Sequence, residues 1–154
     1  MIPVCEPSFT GNELKYVNDC IESGWISSKG KYIDLFEKQW AEYCDRNYGV
    51  AVSNGTAALD TAVRCLGIKP GDEVIMPAFT IISCAAAIVN AGAKPVLVDS
   101  NAQTWTMNID QVSEKITNRT KAIMPVHIYG HPVDMNAIME LAEDKIQIIE
   151  DAAE

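Results

Sequence analysis

From Tyr48 onward the chain alternates short β-branched runs with longer helical stretches, and that rhythm leaves few folds open. Strands separated by helix-length segments cannot pair as hairpins, so they lie parallel with helices across the sheet faces. Strands are predicted at residues 48–53, 73–76, 95–99, 121–126 and 146–150, and helices at 56–66, 80–91, 109–116 and 135–144. The punctuation agrees. Lys69-Pro70-Gly71-Asp72 reads as a turn, with Pro presetting φ and Gly tolerating positive φ, and Ala91-Gly92-Ala93 closes a helix. The fold class is therefore α/β, a mainly parallel sheet flanked by helices.

Two amphipathic helices are expected before the sheet, over residues 13–23 and 32–45. Leu14, Val17 and Ile21 share one face of the first, and Ile33, Phe36 and Trp40 one face of the second. Their linker, Gly24-Trp25-Ile26-Ser27-Ser28-Lys29-Gly30, sets an aromatic and two hydroxyls between glycines, which suits a plain interhelical loop and a substrate-facing one equally. The expected organisation is 1–47 for the leading helices and their loop, and 48–154 for the sheet domain. A parallel strand near the end of the chain, with no helix after it, would leave apolar faces and an edge uncovered. An incomplete sheet is expected, with truncation as its simplest account.

Composition narrows the function classes. With 12 Lys and Arg against 21 Asp and Glu, a net charge of −9 and no basic cluster, neither nucleic acid nor an anionic membrane is an expected partner. No apolar run approaches the roughly twenty residues of a membrane span, and the first residues carry no basic-then-apolar leader. A cytoplasmic location follows as the expectation. The five cysteines, Cys5, Cys20, Cys44, Cys65 and Cys84, form no C-x-x-C pair and suit reduced core thiols better than disulfides or zinc.

Two places could carry chemistry. Ser53-Asn54-Gly55-Thr56-Ala57-Ala58-Leu59 turns a strand into a helix, where free N–H groups and the helix dipole make an anion site, although capping alone explains the same residues. Glu150-Asp151 falls at the carboxyl end of a strand, the edge where open α/β sheets keep ligands. A carboxylate there can hold a cationic heterocycle or simply cap a following helix. His127 and His131 sit in Val126-His127-Ile128-Tyr129-Gly130-His131-Pro132 without a third ligand at metal spacing, so a structural histidine is expected and a metal is not.

Taken together, a phosphate cradle and a distant acid could anchor the two ends of pyridoxal phosphate, and at this point the chain becomes recognisable. It resembles the DegT-type pyridoxal-phosphate-dependent nucleotide-sugar aminotransferases, fold type I, and within them is most similar to the GDP-perosamine synthases. The resemblance is carried by Ile2-Pro3-Val4 with Pro7 and Gly11-Asn12-Glu13, by Ser23-Gly24-Trp25-Ile26-Ser27-Ser28-Lys29-Gly30, by Asn54-Gly55-Thr56-Ala57-Ala58-Leu59 and by Gly71-Asp72-Glu73-Val74-Ile75. It continues through Gly92-Ala93-Lys94-Pro95-Val96, Thr120-Lys121-Ala122-Ile123, Pro125-Val126-His127-Ile128-Tyr129-Gly130 and Ile149-Glu150-Asp151-Ala152-Ala153-Glu154.

The resemblance implies the amino-terminal part of the family's large domain. It also implies that Gly55 and Thr56 bind the cofactor phosphate, that Asp151 pairs with the pyridinium nitrogen, and that Glu154 lies near the ring oxygen and the sugar. Trp25, Ser27 and Ser28 match the loop beside the sugar nucleotide. Ile81 stands where the family commonly has an aromatic over the ring, and an aliphatic contact replaces the stacking. The family's Schiff-base lysine lies beyond the Glu-Asp-Ala-Ala segment. None of the nine lysines here falls in a matching motif, so no catalytic residue is assigned and the chain alone is expected to be inactive. The implied reaction transfers an amino group from glutamate to a 4-keto-6-deoxy sugar nucleotide, in a homodimer when full-length. GDP-4-keto-6-deoxymannose is preferred over a dTDP- or UDP-linked sugar. The alternative is a non-catalytic truncated or split-gene product that binds cofactor or sugar nucleotide weakly, or pairs with another chain.

Overall fold

A computed structural model describes residues 2–3, 6–143 and 145–154; Val4, Cys5 and the expected helix end at Asp144 lie outside the described residues. The chain forms two compact units, Met1–Ala51 and Val52–Glu154.

The first unit contains α1 (Glu13–Ser23) and α2 (Lys31–Tyr43). Gly24 ends α1 in the left-handed region at φ 75°, its N–H donating to the Ile21 carbonyl, a stop that glycine makes at no steric cost. Between the helices Lys31 Nζ reaches Asp19 Oδ2 at 2.6 Å, and the Tyr16 and Tyr32 rings lie 4.9 Å apart. Leu14, Val17, Ile21, Phe36 and Trp40 of the apolar stripes stay exposed.

The second unit runs α3 (Gly55–Cys65), β1 (Glu73–Pro77), α4 (Ile82–Asn90), β2 (Lys94–Val98), α5 (Ile109–Lys115), β3 (Thr120–Ile123), α6 (Met135–Ala142) and β4 (Gln147–Ile148). The sheet order is β2-β1-β3-β4, and every pairing is parallel. Alternation along the strands divides the core. Val74 and Met76 of β1 and Ala122 of β3 pack with Leu59, Val63, Cys84 and Ile88 of α3 and α4. Ile75 and Ile123 face the other way, onto Val112 and Ile138 of α5 and α6. The chain leaves β1 for β2 through α4, then passes back beyond β1 to β3 through α5. Right-handed crossovers in opposite directions put those helices on opposite faces.

One predicted strand is absent. Residues 48–53 are irregular, with Tyr48 and Val50 exposed, and the sheet has four strands among the described residues rather than five. A β-branched run needs a partner strand, and among the described residues no strand pairs with this one; the Ala51 N–H donates instead to Glu37 Oε1 at 2.8 Å. The expected strand at 146–150 shrinks to two residues, with a further parallel bridge between Val126 and Asp151. Both turn signals hold and meet. Gly92 has φ 78°, and a Cβ there would lie 2.7 Å from Pro70 Cγ, so both conformation and space require glycine. No helix is long and apolar enough to cross a membrane among the described residues.

At the amino end of β1, Glu73 is buried among three donors. The Thr117 hydroxyl donates to Oε2 at 2.7 Å, Arg119 Nη2 to Oε1 at 2.9 Å, and Lys94 Nζ stands 3.6 Å away. The Thr117 hydrogen bond, followed by the charges of Arg119 and Lys94, holds the carboxyl below its ordinary 4.5 against the upward push of burial. Its contribution to stability is therefore complete above the unfolded-state value and drains as pH falls through the lower folded value. Urea midpoints measured from pH 7 downward should fall on the acid side, and Glu73→Gln should flatten that part of the profile.

Candidate cofactor site

The carboxyl ends of β1, β3 and β4 flank the point where the sheet's winding reverses, the usual ligand position in open α/β sheets. A cavity of about 100 Å³ opens there, with Thr80 and Ile81 from the loop after β1, His127 from the segment after β3, and Asp151 and Glu154 from the segment after β4 in its lining. It is one wall of a site rather than a whole one, since small-molecule pockets usually hold about 300–1,000 Å³. Three of the residues singled out in the sequence, Ile81, Asp151 and Glu154, thus come together.

Backbone pairing with the segment after β3 fixes Asp151. Its N–H donates to Pro125 O at 2.9 Å, and its carbonyl accepts from the His127 N–H at 3.0 Å. The residue is 8% exposed. Its carboxylate accepts from Cys84 Sγ at 3.1 Å and from the Ala153 N–H at 3.3 Å, and among the described residues no Lys, Arg or His side chain pairs with it. A buried carboxylate without a cation is costly. A protonated ring nitrogen is the kind of partner this donor set lacks.

Asn54 caps α3, its Oδ1 accepting from the Ala57 N–H at 2.9 Å. Capping uses only that donor. The N–H groups of Gly55 and Thr56 have no acceptor among the described residues, and a Cβ on Gly55 would meet nothing within 4 Å. Open space over free donors at a helix start fits a phosphate. The Thr56 hydroxyl is 2.9 Å from Ser83 Oγ, and Ser83 precedes the Cys84 that reaches Asp151. The start of α4 thereby touches both anchor positions.

His127 lines the cavity with both ring nitrogens engaged. Nδ1 accepts from the Val133 N–H at 3.2 Å, which leaves the proton on Nε2, 3.2 Å from Glu150 Oε2. This is the satisfied structural histidine that the sequence suggested. Trp25 and Ser27 line a different cavity, of about 280 Å³, within the first unit; Ser28 is exposed and outside that lining. The sequence placed Cys84 only among the reduced core thiols, and it is free and buried. Its i,i+4 spacing from Thr80 was visible, but its contact with Asp151 spans 67 positions and appears only in the fold.

A family model described as DegT/DnrJ/EryC1/StrS aminotransferases matches residues 7–154. The chain is 53% identical to a GDP-perosamine synthase of Escherichia coli O157:H7, over 99% of this chain and 42% of that protein. It is 42% identical to a dTDP-3-amino-3,6-dideoxy-alpha-D-galactopyranose transaminase of Aneurinibacillus thermoaerophilus, over 90% of this chain and 38% of that protein. Among solved structures, an aminotransferase from Psychrobacter cryohalolentis superimposes with a TM-score of 0.90 at 38% identity, covering 96% of this chain and 38% of that one. NtdA of Bacillus subtilis, with bound PMP, gives 0.85 at 38% identity, over 90% and 32% respectively. The chain thus spans about two fifths of the length of the curated relatives it matches.

Proposed function

Because the chain belongs to the DegT/DnrJ/EryC1/StrS aminotransferase family, we propose that it serves pyridoxal-phosphate-dependent transfer of an amino group from glutamate to a 4-keto-6-deoxy sugar nucleotide. GDP-4-keto-6-deoxymannose is the preferred acceptor, giving GDP-perosamine, in a cytoplasmic homodimer. The observation that carries the reading is the uncompensated Asp151 carboxylate beside the cavity at the sheet's carboxyl edge.

Pyridoxal phosphate, when bound, supplies an electron sink for breaking bonds next to the amino nitrogen. The chain's residues provide part of what that chemistry needs. Asp151 holds the proton on the ring nitrogen, so the ring stays cationic. The free N–H groups of Gly55 and Thr56 and the Thr56 hydroxyl hold the phosphate. Ile81 offers an aliphatic face to the ring, and Glu154 stands on the same wall for the ring oxygen and the sugar. Trp25, Ser27 and Ser28 are assigned to the sugar nucleotide. The proton-moving lysine is not assigned within these 154 residues, and no lysine lines the cavity at Asp151.

The test is direct. The complete enzyme carrying these residues, given glutamate and GDP-4-keto-6-deoxymannose, should release GDP-perosamine, and failure with this acceptor alongside turnover of a dTDP- or UDP-linked keto sugar would reassign the substrate. Phosphate binding has its own test. Thr56→Ala should weaken pyridoxamine phosphate binding severalfold, since one hydroxyl goes while the backbone donors stay. Gly55→Ala should keep the fold, because the space is open and alanine favours helix, yet weaken binding where its methyl meets the phosphate. Equilibrium dialysis reads both, and unchanged affinity would return this helix start to capping alone.

A further inference from the structure

The core face between α3, α4 and the sheet contains one polar link that packing does not require. Cys84, in the first turn of α4, is 0% exposed and lies among Val63, Met76 and Ile88. A small apolar residue would fill that position as well. Instead its sulfur lies 3.1 Å from Asp151 Oδ2 and 3.3 Å from Thr80 Oγ1. The thiol has one proton. With that proton directed at the carboxylate, the Thr80 hydroxyl donates to the sulfur, and the three groups form a chain running Thr80 to Cys84 to Asp151.

We propose that Cys84 is a positioning residue for Asp151, its buried thiol donating to Oδ2 and fixing the carboxylate in the orientation that meets the cofactor's ring nitrogen. The inference rests on the reading of Asp151 as the pyridinium partner and deepens it. Among the described residues, Asp151 has two other restraints near its side chain: its own backbone pairing and the 3.3 Å contact from the Ala153 N–H. Neither reaches Oδ2. Burial, ahead of the neighbouring carboxylate, pushes the Cys84 thiol up to about 11, so it remains a donor throughout the physiological range. The preceding residue, Ser83, meets Thr56 Oγ1 at 2.9 Å, so one turn of α4 sets the spacing between the nitrogen anchor and the phosphate anchor.

The order of two substitutions separates positioning from packing. In a purely apolar role Cys84→Ala leaves a small void and Cys84→Ser buries a hydroxyl, so Ser is no better than Ala. In a positioning role Ser restores the donor. In the complete enzyme, Cys84→Ala should weaken pyridoxamine phosphate binding about tenfold, the scale of a hydrogen bond to a charged group, while Cys84→Ser stays within about threefold of the parent. The infrared S–H stretch of Cys84, identified by its loss in Cys84→Ala, should be shifted down by the hydrogen bond and should move back up in Asp151→Ala. Ser binding no better than Ala, or an S–H band indifferent to Asp151→Ala, would overturn the proposal alone. Cofactor affinity unchanged in Asp151→Asn would overturn the reading of Asp151 itself, and the proposal with it.

Discussion

Asp151→Asn in the complete enzyme should lower transamination by at least about a hundredfold, the scale expected when one preorganised charge is removed from an active site. Asparagine keeps the shape, and its single amide oxygen can still accept from the Ala153 N–H while its NH2 group, standing where Oδ2 was, donates to the Cys84 sulfur instead of accepting from it. What goes is the negative charge proposed to keep a proton on the ring nitrogen, and without that proton the ring is a poor electron sink. Stability should move the other way or not at all. In the absence of cofactor the wild-type carboxylate is buried without a cation among the described residues, and neutralising it removes that cost. Single-turnover kinetics with glutamate together with thermal unfolding would show the split. Near-normal turnover would remove Asp151 from the mechanism, and a collapse in stability would give it a structural role instead.

The parts of this fold legible in the sequence are those whose partners are local or whose pattern is buried on both faces. All five residues of β1 are buried, and its apolar run marks a central strand wherever its neighbours lie. The caps at three helix starts are local in the chain, with Asn54, Asn108 and Asp134 each accepting from the N–H three residues on. Residues 48–53 misled because β-branched composition shows that a segment can extend, not that another strand waits beside it. The site divides in the same way. Asp151 and Ile81 were placed by motif and by position at strand ends, and the fold brings both to one cavity. Cys84 was not readable as anything but core, since its role depends on a carboxylate delivered from β4 by the register of a parallel sheet.

Incubation of the 154-residue chain with pyridoxal phosphate, followed by borohydride reduction, should label no single lysine stoichiometrically and should be accompanied by no amino sugar from glutamate and a 4-keto sugar nucleotide. A lysine that binds the cofactor covalently must present a neutral amine beside the carbonyl carbon while the ring and phosphate are held in place. None of the nine lysines lines the cavity at Asp151. Lys31 is held protonated above its ordinary value by its hydrogen bond to Asp19, and Lys145 by its hydrogen bond to Glu143. Lys94 faces Glu73 at the amino end of β1, the opposite end from Asp151, and no lysine lines the cavity there. Random modification at high reagent concentration would spread over the exposed amines, so peptide mapping must show whether one site saturates first. If a partner polypeptide supplied the missing lysine, the label should appear on that partner and turnover should begin with it. One lysine of this chain labelled one-to-one, with turnover, would mean that the catalytic residue lies within these 154 positions and has been misplaced.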